Sequence, residues 1–158
     1  MYTTALLLHS WLRWLVLGLG VALLTTAVAY SRGGREWSDA IERLRKGFLG
    51  GLDVQVLLGL VLFGLLSPIT RAGMADIAAA MADSARRFYL VEHVFGMLLG
   101  VVVAHVGLAR AKRVSAETRP RAVWITMALW LVITLASIPW PGLPYGRPLF
   151  RLFFLNVP

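Results

Sequence analysis

Four long apolar segments, separated by short polar ones, dominate the pattern of residues along the chain. They cover residues 5–30, 48–66, 90–109 and 122–140. A helix needs roughly 20 apolar residues to cross a hydrocarbon core about 30 Å thick, and these segments approach or exceed that length. The pattern therefore predicts an all-α integral membrane protein, with four transmembrane helices in an up-down bundle that form a single transmembrane domain over residues 1–158.

The polar connections predict three smaller features. Ile41, Leu44 and Phe48 fall on one helical face, which indicates a short interfacial helix leading into the second span. The Ala- and Met-rich segment 75–82 predicts a helix lying on the outer surface. The Pro-rich segment 139–146 cannot be helical and is expected to form an extended cap.

Composition narrows the class of protein further. With 58% hydrophobic and 15% charged residues, the chain is too apolar for a soluble domain of its size. It contains no Cys, which excludes disulfides, thiolate metal sites and c-type haem attachment. The net charge of +8 comes from basic residues in loops that flank the membrane, where they contact anionic lipid head groups. The expected partner is the lipid bilayer, and nucleic acid is not expected.

The charges of the loops predict the orientation in the membrane. Loop 31–47 holds five basic residues against three acidic ones, and loop 110–121 holds five against one. Loop 67–89 holds three against two, and the N-terminal tail carries no charged side chain. Because basic loops stay in the cytoplasm, both termini are predicted on the outer, periplasmic side of a bacterial inner (cytoplasmic) membrane.

Polar side chains inside the spans are the candidates for chemistry, because each is costly in hydrocarbon and usually faces the bundle interior. They are His9 and Arg13 in the first span, Asp53 and Gln55 in the second, and Glu92, His93 and His105 in the third.

His9 and His93 form the first candidate site. Each lies three or four residues inside its span, and the first and third helices of an up-down bundle run parallel, so both imidazoles are expected at similar depth near the outer surface. Two neutral imidazoles at equal height can supply both axial ligands of an iron. We therefore predict one haem b, with His9 and His93 as ligands of the haem iron.

Glycines and arginines near these histidines extend the predicted cofactor site. Gly96 and Gly100 follow His93 on the same face and would leave room for a flat macrocycle, although G-x-x-x-G is also common where membrane helices pack closely. Arg13, one turn from His9, and the adjacent pair of arginines before the third span are candidate partners of the haem propionates. The alternative is that Arg13 pairs with Glu92, and that the two arginines before the third span, Arg86 and Arg87, are solvated.

His105 and Asp53 form a second candidate polar pair. His105 lies twelve residues after His93, a rise of about 18 Å, so it cannot bind the same iron. Asp53 is expected at a similar depth near the cytoplasmic end. The pair is interpreted as structural, as a proton relay or as part of a quinone pocket.

Three segments carry a resemblance to a known family. Residues 9–14 (HSWLRW), 87–93 (RFYLVEH) and 138–141 (IPWP) resemble a family of small bacterial four-helix membrane proteins that are often labelled cytochrome b-like. The resemblance implies a haem site that includes the matched His9 and His93, whereas His105 lies outside the matched segments. The chain departs from cytochrome b and from the b561 type, which place two histidines on each of two helices, so it can hold at most one haem.

The resulting prediction is a membrane-bound b-type cytochrome-like electron-transfer protein, or a subunit of a larger membrane redox complex or homo-oligomer. No nucleotide motif or metal-cluster motif is present, which favours an electron carrier or complex subunit over a stand-alone enzyme. Two alternatives stay open at this point: a cofactor-free structural or accessory subunit, and a quinone- or pigment-binding subunit that uses the same histidines.

Overall fold

The computed structural model describes residues 1–33 and 37–150, and every regular element in these ranges is a helix. The predicted all-α class is confirmed, and four of the described helices are long and apolar enough to cross a membrane, in agreement with the predicted number of spans. The long helices are α1 (Tyr2–Gly33), α2 (Asp39–Leu66), α5 (Ser84–Ala111) and α6 (Arg119–Ala136), and the short helices α3 (Pro68–Ala75) and α4 (Ile77–Ala82) join α2 to α5.

The long helices differ from the predicted spans mainly at their ends. The expected interfacial helix and the second span form one continuous helix from Asp39, because the segment contains no proline that would interrupt the backbone hydrogen bonds. Ile41 and Phe48 are buried on its inner face, in agreement with the predicted pattern. Helix α6 ends at Ala136, earlier than expected, shortly before Pro139. Residues 34–36 of the first predicted loop lie outside the described residues.

The connection between α2 and α5 contains two short helices where one was expected. Ser67 begins α3, and its side chain accepts a hydrogen bond from the backbone N–H of Thr70 at 3.4 Å. Asp76 separates α3 from α4, and its carboxylate accepts from the N–H of Ala79 at 3.0 Å. Segment 139–146 is non-helical, as predicted, but it forms turns where an extended cap was expected, because the N–H groups of Leu143 and Gly146 donate to carbonyls three residues earlier. The chain turns back so that the N–H of Arg147 donates to the carbonyl of Pro139.

Helix α6 is central to the packing, because it contacts both α1 and α5, and α1 also packs against α2. The core contains Trp130, fully buried on α6, whose ring meets Phe48 of α2 edge to face at 4.7 Å between ring centroids. Gly20 of α1 permits this contact, since a Cβ there would overlap the indole of Trp130. Helices α1 and α5 make few direct contacts, which leaves space between them for a cavity.

Two π-helical turns border this cavity. One covers Leu62–Leu66 at the end of α2, and the other covers Phe88–Glu92, immediately before His93 in α5. A π turn holds one more residue than an α turn and so changes the direction in which the following side chains point. The second turn therefore sets the direction of His93 relative to the start of α5.

Candidate functional site

The candidate site is a cavity of about 150 Å³ between α1, α2, α5, α6 and the C-terminal segment. Its walls are mostly apolar, and a few polar side chains converge on it from different elements. Apolar walls with a small number of convergent polar groups are typical of ligand sites. The polar groups are Tyr2, His9, Ser10, Arg13, Gln55, Ser67, Thr70, Tyr89, His93, Thr134 and Arg147, and Met97, Leu98 and Trp130 are among the apolar ones.

His9 and His93 face each other across this cavity. Their ring centroids are 6.5 Å apart, and the ring planes make an angle of 75°. An imidazole nitrogen binds a transition metal at about 2 Å, and the ring centre lies about 1 Å behind that nitrogen, so two axial imidazoles place their centres about 6 Å apart. The separation of the ring centres is therefore compatible with two ligands of one metal ion, whereas Nε2 and Cε1 of His9 lie against Gln55 and Gly59 of α2.

His93 is held by α6 and by aromatic neighbours. Its Nδ1 lies 2.8 Å from the carbonyl oxygen of Ser137, so the tautomer with a proton on Nδ1 donates to that carbonyl. Phe88 and Tyr89, from the π turn, lie 5.7 and 6.2 Å from the ring between centroids. With Nδ1 used in this way, Nε2 is the nitrogen available to a ligand.

His9 is held by α2. The side-chain amide of Gln55 lies 3.3 Å from His9 Nε2 and also donates to the His9 carbonyl at 3.1 Å. Gly59 lets the imidazole lie against α2, because a Cβ there would come within 3.1 Å of His9 Cε1. Nδ1 of His9 and Oε1 of Gln55 are both buried without a hydrogen-bond partner. Buried polar atoms of this kind are uncommon and mark a position where a ligand can add a partner.

Two arginines lie at the end of the cavity that the C-terminal segment covers. Arg13 Nη2 donates to the carbonyl of Leu149 at 2.9 Å. Arg147 places its guanidinium 4.4 Å from the centre of the Tyr89 ring, and its Nη1 lies 3.5 Å from the hydroxyl of Tyr2. This end of the cavity is therefore positively charged and suits an anionic group.

Comparison of the chain with known protein families, with curated proteins and with solved structures found no match. Among the residues that the structure describes, no three His, Cys, Asp or Glu side chains come together in a group that could hold a metal ion.

The arginine pair at the start of α5 does not reach the cavity, contrary to the expectation from sequence. Both side chains are exposed, and Arg87 Nε pairs with Glu92 at 2.8 Å. Glu92 therefore pairs with Arg87 and not with Arg13, the partner that the alternative prediction gives it. The π turn lies between Arg86 and His93 and directs them differently. Arg147 supplies the second cation at the cavity instead.

Gly96 and Gly100 also differ from the expectation, because they face α6. A Cβ at Gly96 would overlap the Ser137 side chain, and one at Gly100 would lie 3.5 Å from Thr134 Oγ1. Both glycines are buried, and neither lines the cavity. The reason is that α5 packs along α6, so the glycine face of α5 serves close helix packing.

Asp53 and His105 meet on the outside of the bundle, away from the cavity. Asp53 Oδ1 lies 3.1 Å from His105 Nε2, and His105 Nδ1 lies 3.1 Å from the carbonyl of Val101 one turn earlier. Their side chains are 54% and 39% exposed, so this polar pair faces the surroundings of the bundle.

Sequence reasoning missed several residues of the cavity. Gln55 belongs to the polar set of the spans, but its spacing gave no indication that it would reach His9. Arg147 carried no signal, since it is one cation in a Pro-rich tail. The sequence indicated only that Trp130 is one apolar residue of the last span, and the structure places it in the cavity wall.

Proposed function

We propose that this protein is a b-type cytochrome-like electron-transfer protein, or a subunit of a redox complex, in the bacterial inner membrane. It holds one haem b between His9 and His93 near the periplasmic surface, and both termini of the up-down bundle lie on that side. The observation that carries the proposal is the pair of imidazoles that line one cavity with their ring centroids 6.5 Å apart. The resemblance of residues 9–14 and 87–93 to the cytochrome b-like family supports it.

The residues around the histidines suit this role. A haem-ligating histidine usually donates its other ring N–H to a carbonyl, which fixes the ring and its tautomer, and the Ser137 carbonyl accepts such a bond from His93. Gln55 holds the His9 ring from α2. Bound haem b supplies one-electron transfer through its iron. The apolar walls restrict water around the imidazoles, a feature that tunes the potential of such a centre.

Arg13 and Arg147 are the proposed partners of the haem propionates. Both line the end of the cavity next to the C-terminal segment. A guanidinium binds a carboxylate through two parallel N–H bonds, which gives orientation as well as attraction. In this role the two arginines select the direction in which the macrocycle enters the cavity.

The volume of the cavity favours a second candidate function. At about 150 Å³, it is smaller than the roughly 300–1,000 Å³ typical of ligand pockets, so a haem requires lining side chains such as Met97 and Leu98 to move. The second candidate is a cofactor-free structural or accessory subunit, in which His9 and His93 hold helices together through Gln55 and the Ser137 carbonyl.

A spectroscopic experiment separates the two functions. The wild type and the variants His9→Ala, His93→Ala and His105→Ala are purified in mild detergent, and haem is quantified by reduced-minus-oxidised and pyridine haemochrome spectra. We expect b-type bands near one haem per chain in the wild type and in His105→Ala, and loss of those bands in the other two. A folded, colourless wild type would reject the haem and favour the structural subunit.

A further inference from the structure

Asp53 and His105 form a polar patch among exposed apolar side chains of α2 and α5. Asp53 lies within the apolar part of α2, and His105 lies six residues before the end of α5. Both side chains are partly exposed on the outside of the bundle. Ionisable groups inside a membrane usually face the interior of a bundle, so a pair that faces lipid indicates a ligand or partner that covers it.

The hydrogen bonds of the pair define what it can still bind. Each ring nitrogen of His105 lies 3.1 Å from an oxygen atom, Nε2 from the Asp53 carboxylate and Nδ1 from the Val101 carbonyl, and a neutral imidazole donates through one of them. The imidazole therefore orients the carboxylate and has no nitrogen left for a ligand. A carboxylate has about four acceptor positions, so Asp53 retains acceptor capacity for an O–H or N–H donor. The patch can thus accept a hydrogen bond from a ligand that carries an O–H or N–H group.

The surroundings favour a small head group with an apolar tail. Gly50, one turn before Asp53, has no heavy atom within 4 Å of where its Cβ would be, which leaves open space beside the carboxylate. Leu57 and Val102 project into lipid on either side, with 63% and 56% of their surfaces exposed. They provide contact for a hydrocarbon tail. A symmetric contact between two copies of this chain with its axis at this patch would instead bring two Asp53 carboxylates together in hydrocarbon.

We propose that the surface formed by Asp53, His105 and Gly50 binds the head group of a membrane quinol, whose hydroxyl donates a hydrogen bond to the Asp53 carboxylate. The quinol arrives laterally through the lipid, and its tail lies along Leu57 and Val102. The role of the quinol as redox partner of the haem rests on the proposed function. The binding itself depends only on this surface.

The test measures binding of 2-heptyl-4-hydroxyquinoline N-oxide, a fluorescent quinol analogue, to the full chain in nanodiscs by fluorescence quenching. We expect saturable binding at one site per chain, with the Kd raised about tenfold or more in Asp53→Asn, because a hydrogen bond to a charged group is lost. His105→Phe should weaken binding similarly through the loss of carboxylate orientation. Glu117→Gln, which removes a carboxylate from the exposed third loop, should bind like the wild type.

Other outcomes would overturn the proposal. If Asp53→Asn leaves the Kd unchanged, the carboxylate does not hold the head group. If the variant changes the oligomeric state while the Kd stays the same, a second copy covers the patch. Measuring binding to His93→Ala separates this test from that of the haem: binding retained without haem supports the quinol site by itself, whereas binding lost only in His93→Ala places the analogue in the cavity.

Discussion

The close packing of Gly96 against Ser137 gives the sharpest test of how α5 and α6 fit together. In Gly96→Ala the new Cβ would lie 2.9 Å from Ser137 Cβ and would overlap Ser137 Oγ. The hydroxyl can rotate away, at the loss of its 2.8 Å hydrogen bond to the Ile133 carbonyl, but Cβ can move only with the backbone. Overpacking of this kind costs about 1–3 kcal/mol. Alanine also favours a helix over glycine by about 1 kcal/mol, which partly hides the effect.

Gly18→Ala is the matched control, because nothing lies within 4 Å of the position of its Cβ. It gains the same helix propensity without an overlap, so the difference between the two variants is the packing term of about 1–3 kcal/mol. The assay is equilibrium unfolding in mixed detergent micelles with increasing dodecyl sulfate, followed by helical circular dichroism. Ser137→Gly should rescue Gly96→Ala, with a coupling of about 1–2 kcal/mol in a double-mutant cycle. Equal stability of Gly96→Ala and Gly18→Ala, or the absence of coupling, would refute the packing assignment.

Three further predictions use the same unfolding assay or the haem spectrum. Gln55→Leu removes the amide that donates to the His9 carbonyl and positions His9 from α2, and it should lower haem content several-fold, as second-shell changes at metal sites do; unchanged content would show that Gln55 does not position the ligand. Trp130→Ala should destabilise the protein by about 3–5 kcal/mol through the cavity it creates, and a loss below about 1 kcal/mol would contradict its place in the core. Glu42→Gln removes the carboxylate that pairs at 2.6 Å with Arg45, a residue only 6% exposed. We expect this variant to lower the free energy of unfolding by about 1–3 kcal/mol. A loss no larger than that of Glu117→Gln would contradict the assignment.

The amino-acid sequence by itself determined the class of the protein and the number of its long helices. In lipid every backbone group must form its hydrogen bond within the segment, so a span requires about 20 apolar residues in a helix, and such runs are visible without knowledge of the neighbours. The same reasoning selected the polar side chains inside the spans, because few are tolerated there. The C-terminal segment was predictable as non-helical from its prolines.

Only the tertiary structure decided which side chains meet. These spans are apolar around most of their circumference, so no periodic pattern indicates which face of a helix contacts which neighbour. Whether Gly96 faces a cavity or α6 therefore depended on the order of helices in the bundle. Arg147 reaches Tyr89 because the chain turns back after α6, a contact between residues far apart in sequence. Local spacing sets the distance between residues along a helix, whereas the direction of a side chain across the bundle is fixed only when all the helices pack together.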